Sequence, residues 1–172
     1  VEEHPPIHLT PGLTLPVVTL PATDGSDICL ATLEGQTIVA VYPWTGKPGL
    51  PNPPGWDDIP GAHGSTPELE GFRDLFEPIS QSGSKLFALS GQSTSFQREM
   101  ALRLGLPFPV LSDKKGAMAR ALRLPAFEAG GIKYLKRISF TISDGRIEYV
   151  FHPIEDPESH PARVVDWLKS RS

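Results

Sequence analysis

The stretch from position 43 to 67 constrains the chain most. It holds seven prolines and five glycines, so twelve of its 25 residues are helix or strand breakers. That density excludes a regular helix and a central strand. A loop this long in a compact domain is functional or disordered. Trp44, Trp56 and Ile59 lie inside it, and a solvated linker has little use for them, so a packed loop is expected. The flanks are regular. Gln36 to Tyr42 is a continuous apolar, β-branched run, the pattern of a strand buried on both faces. Beyond the loop, Leu69, Phe72, Leu75, Phe76 and Ile79 recur at helical spacing, and Pro78 should kink or end that helix.

The same patterns extend along the rest of the chain. Lys85 to Ser90 predicts a second buried strand, and Phe96, Met100, Ala101 and Leu104 predict a helix closed by Gly105 and Pro107. Pro109 to Ser112 predicts a short strand, followed by a helix near 114–123. Leu135 to Ser143 and Arg146 to His152 flank Asp144-Gly145, a type I′ turn signal, and predict a hairpin. Val17 to Leu20 and Asp27 to Leu30 flank Asp24-Gly25 in the same way. Residues from about 160 to 170 predict a final helix, and Ala126 to Gly131 a flexible loop. Alternating βα units imply an α/β sandwich with a mostly parallel centre. The order resembles the thioredoxin-like arrangement: a central mixed sheet flanked by helices, an N-terminal β-hairpin and a long Pro/Gly-rich loop. At 172 residues, one domain spanning 1–172 is expected.

Several function classes drop out. A net charge of −4 gives no basic footprint for nucleic acid. No apolar run approaches the roughly 20 residues that span a membrane. Residues 1–6 show neither a basic nor an apolar leader region, so a cytoplasmic location is expected. The lone Cys29 cannot form an internal disulfide, which fits a reducing compartment. His4, His8, His63, His152 and His160 lack metal-ligand spacing, so no metal is expected. No P-loop or Gly-x-Gly-x-x-Gly appears, so no nucleotide cofactor is expected either.

In open α/β sheets, ligands bind beyond the carboxyl ends of the strands. The strand ending at Tyr42 points to the loop-to-helix junction, Gly61-Ala-His-Gly-Ser-Thr-Pro-Glu68. Pro67 suits a first helical position, and Ser65 with Glu68 has capping-box spacing. Ser65 is therefore either a helix cap or a reaction centre. A helix N-terminus lowers the pKa of a thiol placed there, but serine needs a base. His63 is the one nearby base in sequence, with no acidic partner to assign and no Gly-x-Ser-x-Gly elbow around Ser65.

These residues resemble the peroxiredoxins of the AhpC/TSA type, particularly the bacterioferritin-comigratory (Q-type) group. The family motif is Cys-Thr-x-Glu with Phe-Arg-Asp beginning seven residues after the cysteine. Here Ser65-Thr66-Pro67-Glu68 precedes Phe72-Arg73-Asp74 in matching register. Tyr42-Pro43, Leu111-Ser112-Asp113, Lys136-Arg137 and the stretch from Leu30 to Gly35 also match. The resemblance covers about residues 10 to 170 and implies a thioredoxin-like fold and thiol-dependent reduction of hydrogen peroxide and organic hydroperoxides. It needs no cofactor and uses an external thiol reductant of the thioredoxin, glutaredoxin or glutathione type. A monomer or a homodimer would suit it.

By that resemblance, position 65 is the peroxidatic position, Arg137 the donor to developing charge, and Glu68 its orienting partner. Tyr42, Pro43 and Gly64 would contact substrate, and the backbone N–H of Ser65 would complete the site. The chain departs from the pattern in four places. Ser65 replaces the peroxidatic cysteine, and Glu70 stands where the Q-type resolving cysteine would be. Ala62 replaces a threonine, for which Thr45 could supply the hydroxyl, and the Pro/Gly loop is an insertion. Serine forms no sulfenic acid, so peroxide reduction should be nearly abolished. Two explanations stand: a laboratory Cys-to-Ser variant, favoured by the retained neighbours, or a naturally redox-dead thioredoxin-like binding or regulatory module. Without the resemblance, Arg137 would read equally as a solvated strand arginine. Cys29 is expected to be buried and inert, the alternative being a resolving thiol.

Overall fold

The structure is a computed structural model, and it describes residue 6 and residues 8–171. The reading of the first residues as leader-free, and His4 among the histidines, lies outside the described residues. Nine strands and five α-helices are assigned within them. The chain opens with a hairpin of β1 (Thr19–Pro21) and β2 (Asp27–Cys29), paired antiparallel. Asp24 builds the turn, because its carboxylate accepts from both the backbone and the hydroxyl of Ser26. Leu30, expected to extend the strand, starts a 3-10 turn instead.

The central sheet has the order β5-β4-β3-β8-β9. Strands β3 (Gln36–Val41), β4 (Lys85–Ser90) and β5 (Val110–Ser112) run parallel. Strands β8 (Ile138–Ser143) and β9 (Arg146–Phe151) complete the sheet antiparallel. The sheet is buried on both faces, which is why β3 reads as an unbroken apolar run. Ile38, Ala40 and Tyr42 face one core with Leu69, Phe72, Ile79, Val164 and Leu168. Val39 and Val41 face the other, with Leu20, Leu30, Met118 and Leu122. Helices α1 (Ser65–Asp74), α2 (Phe76–Gln81) and α5 (His160–Ser170) contribute to the first core. Helix α3 (Thr94–Leu104) joins them through Met100, while α4 (Ala117–Leu122) and the first hairpin cover the opposite face. The Asp144-Gly145 turn has two positive φ angles, 49° and 80°, as a type I′ turn requires.

The interruption expected from Pro78 is present: the run to Ile79 is two helices divided at Leu75, because the ring of Pro78 excludes the carbonyl four residues earlier from a continuous helix. Three expectations are corrected. Pro67 is the third residue of α1, where a missing N–H is still harmless. Ala126 to Gly131 is no flexible loop: β6 (Ala126–Ala129) and β7 (Ile132–Leu135) form a hairpin around Gly130-Gly131. The strand predicted from Leu135 to Ser143 is interrupted at Lys136-Arg137, where the Lys136 N–H donates to the Pro125 carbonyl at 2.8 Å. That interruption aims Arg137 out of the sheet's ladder.

The long loop is packed, as its tryptophans required. Trp56 is 3% exposed and sits in edge-to-face contact with Trp44 and Tyr134 and tilted against Phe127. Loop and β6–β7 hairpin thus share one apolar cluster with Ala62 and Ala129.

Candidate active site

Position 65 opens α1, and the chain enters it through Gly64 at φ 109°, a conformation that favours glycine. A Cβ on Gly64 would lie 2.7 Å from Pro157 Cγ, so the same glycine admits the segment before α5 against the start of α1. The Ser65 hydroxyl is not the helix cap: Gly64 is the N-cap residue, and no side chain caps α1. The Ser65 Oγ instead accepts a hydrogen bond from Arg137 Nη2 at 3.2 Å. The side chain is drawn toward a guanidinium and away from its own helix end.

Arg137 organises this junction. Nη1 donates to Glu68 Oε1 at 3.0 Å, and Nη2 donates also to the carbonyls of Gly61 and His63, at 3.3 and 3.0 Å. Arg137 is 5% exposed and Glu68 is fully buried, so the ion pair is desolvated. Arg137 Nε and Glu68 Oε2 remain buried without a hydrogen-bond partner among the described residues, leaving one donor and one acceptor. Burial pushes the Glu68 carboxyl up to about 7, against the opposing pull of Arg137. Burial also raises the Tyr42 phenol above its ordinary range, with the charge of Glu68 adding to it.

Ser65, Glu68 and Arg137 are therefore brought together, with Gly64 beside them. Tyr42 is fully buried, and its backbone N–H donates to the Leu89 carbonyl. Pro43 follows it into a buried position. Thr45 is 2% exposed, and both its N–H and its hydroxyl donate to Gln92 Oε1, at 3.1 and 3.2 Å. Gln92 Nε2 donates back to the Thr45 carbonyl, so this glutamine clamps the first turn of the long loop. Cys29 is half-buried, not fully buried, because β2 is half exposed. It lies on the hairpin that covers the face of the sheet opposite α1.

His63 does have an acidic partner. Its Nε2 pairs with Asp57, which a 3-10 turn over Trp56–Asp58 presents to it. The pair is exposed, and the Ser65 hydroxyl is bonded to Arg137. No base for Ser65 results, so serine-hydrolase chemistry has no support here. Sequence reasoning missed Asp57, Gln92 and the carbonyls of Gly61 and His63. Only Asp57 had a legible signal, as an acid near a histidine within one loop.

Chemically, the arrangement stabilises negative charge at position 65. A guanidinium donor and the free N–H groups of a helix start converge there. Such surroundings hold a sulfur as thiolate, whereas they leave a serine hydroxyl un-ionised. No group of His, Cys, Asp or Glu able to hold a metal occurs among the described residues. No described helix is long and apolar enough to cross a membrane.

The chain belongs to the Redoxin family, whose profile matches residues 10–166. A putative peroxiredoxin of Coxiella burnetii is 27% identical over 160 residues, covering 91% of this chain and 97% of its own length. A chloroplastic peroxiredoxin Q of Oryza sativa subsp. japonica is 24% identical over 160 residues, 92% of this chain. The chain spans 66% of that plant relative. The fold matches the bacterioferritin comigratory protein of Xanthomonas campestris, known for alkyl peroxide reduction, with TM-score 0.74 at 22% identity, covering 94% and 99% of the two chains. It also matches a peroxidoxin of Mycobacterium tuberculosis with TM-score 0.76 at 21% identity, covering 96% and 99%. The mixed α/β fold is thus that of thioredoxin-like peroxiredoxins.

Proposed function

We propose that this site performs thiol-dependent reduction of hydrogen peroxide and organic hydroperoxides when position 65 carries sulfur, and that the chain with Ser65 does not turn over. The Arg137 Nη2 contact to Ser65 Oγ, braced by buried Glu68, carries this reading. A thiolate there would attack the distal oxygen of a peroxide, and the guanidinium would stabilise the charge that develops on the leaving oxygen. Arg137 and Glu68 thus have roles that a helix cap would not need. Serine cannot complete the step, since it forms no sulfenic acid.

The Ser65→Cys variant tests this reading. Expected is hydrogen-peroxide consumption with a thiol reductant at least about a hundredfold above the Ser65 chain, the scale on which loss of one electrostatic donor is felt. No turnover in the variant would sink the peroxidase reading and leave a redox-silent binding module. An external thiol is the expected reductant. Because the Cys29 hairpin covers the other face, the oxidised variant should show no intrachain disulfide on a non-reducing gel.

A further inference from the structure

The bond from Arg137 to position 65 joins two layers of the fold, because α1 packs on the sheet while Arg137 leads into β8. Three contacts tie α1 to the first turn of α5 and the segment before it. Gly64 lies against Pro157, and a Cβ on Gly71 would lie 2.8 Å from Pro161 Cγ. Between these, the His160 ring meets Phe72 edge-to-face, with ring centroids 5.8 Å apart. Phe72 stands two turns beyond Ser65, on the buried face of α1 that also carries Glu68.

The same imidazole reaches the sheet. His160 Nε2 pairs with the Ser139 hydroxyl at 2.9 Å, and the ring also meets Phe151 of β9 edge-to-face at 5.3 Å. Ser139 is fully buried and His160 nearly so. Ile138 enters the opposite core, so its neighbours Arg137 and Ser139 both face α1 and α5. A leucine at 160 would fill the space but leave the Ser139 hydroxyl without this partner. That hydroxyl stands two residues from Arg137. Burial pushes the imidazole down to about 4, with Arg137 and Arg163 adding to the effect. The ring is therefore neutral at neutral pH and does not repel the guanidinium.

Granting the reaction proposed above, we infer that His160 is a positioning residue for it: its bond to Ser139 and its contact with Phe72 fix β8 and α1 at the separation from which Arg137 reaches position 65. The effect passes through Arg137. Its bonds to Ser65, Glu68, Gly61 and His63 all cross from the β8 side to α1 and the loop before it. A shift of β8 against α1 disturbs all four together. No other side chain described above touches α1 through its ring while bonding a residue of β8.

The hold is read first in the Ser65 chain itself. A guanidinium fixed by four acceptors should exchange its Nη protons slowly with solvent, as followed by nuclear magnetic resonance. His160→Leu and Ser139→Ala should each speed that exchange about tenfold or more, and the two together no further, because they break one bond. His160→Gln, whose amide can meet the same hydroxyl, should keep it slow. Val164→Ala, one turn along α5 in the same core, should lower the urea midpoint without that acceleration. The second arm uses Ser65→Cys. Because an opposite charge nearby lowers a pKa by about 1–3, His160→Leu should raise the midpoint of the thiol titration by about 1. Sulfenic acid formation by peroxide should slow with it, and His160→Gln should restore both. Exchange that neither His160→Leu nor Ser139→Ala speeds, or that His160→Gln or Val164→Ala speeds as much, overturns the inference whatever position 65 does. So does a thiol titration indifferent to His160. Should His160→Leu not fold, Ser139→Ala and His160→Gln decide alone. A Ser65→Cys protein that forms no sulfenic acid counts against the peroxidase reading and leaves the exchange result standing.

Discussion

Two nitrogens of Arg137 reach four acceptors on α1 and the loop before it, and the charge of Glu68 depends on one of them. Removing the guanidinium leaves a buried carboxyl without its partner. Arg137→Met should therefore cost about 3–5 kcal/mol in urea denaturation, the usual penalty for breaking a buried pair. Adding Glu68→Gln should restore part of that loss, because the uncompensated group goes with it. Two buried groups should also tilt the pH profile in opposite directions. Glu68 is raised above its unfolded value of 4.5 to about 7, so its contribution is whole below pH 4.5 and lost as pH rises through 7. His160, whose Nε2 pairs with the Ser139 hydroxyl at 2.9 Å, is lowered by burial to about 4, with Arg137 and Arg163 adding to the effect. Its contribution is present above pH 6.5 and lost as pH falls through 4. His160→Gln should remove an acid-side decline of about 3 kcal/mol between those limits, read as a flatter urea midpoint against pH. Glu68→Gln should flatten the opposite slope, between pH 4.5 and 7.

At the scale of elements, the legible parts were those whose chemistry is local. The apolar run of β3 and the Asp-Gly turn between β8 and β9 each carry their own signal. Gly145 shows how strict that signal is. Its φ is 80°, and a Cβ there would meet the Ala31 carbonyl oxygen at 2.3 Å. Gly145→Ala should lose about 1–3 kcal/mol from backbone strain, with the steric clash adding to it, in thermal unfolding. The β6–β7 hairpin escaped notice because its strands are four residues each, although Gly130-Gly131 is itself a turn signal. The site was half legible. Ser65 and Glu68 share a helix turn, and the family resemblance pointed to Arg137. The carbonyls of Gly61 and His63 were out of reach, because a main-chain acceptor 76 or 74 residues away leaves no mark on side-chain pattern. Spacing alone leaves Ser65 open between a cap and a reaction centre, since its distance to Glu68 suits a capping box while a distant arginine takes its hydroxyl.

For the whole molecule, the two main cores lie on either face of the sheet, and the loop's aromatic cluster is a satellite of its own. Loop and sheet can therefore be separated energetically. Trp56→Ala should weaken the satellite by about 3 kcal/mol, seen as faster proteolysis between 43 and 64 with far-UV circular dichroism retained.

Strand order adds a temporal consequence. β3 lies between β4 and β8, yet β8 starts about a hundred residues after β3, immediately beyond Arg137. During synthesis one edge of β3 stays open until that late segment emerges. The segment that closes this edge brings with it the guanidinium for position 65. The ribosome thus delivers the last neighbour of the central strand and the last member of the candidate site together, so no long-lived nascent state holds one without the other.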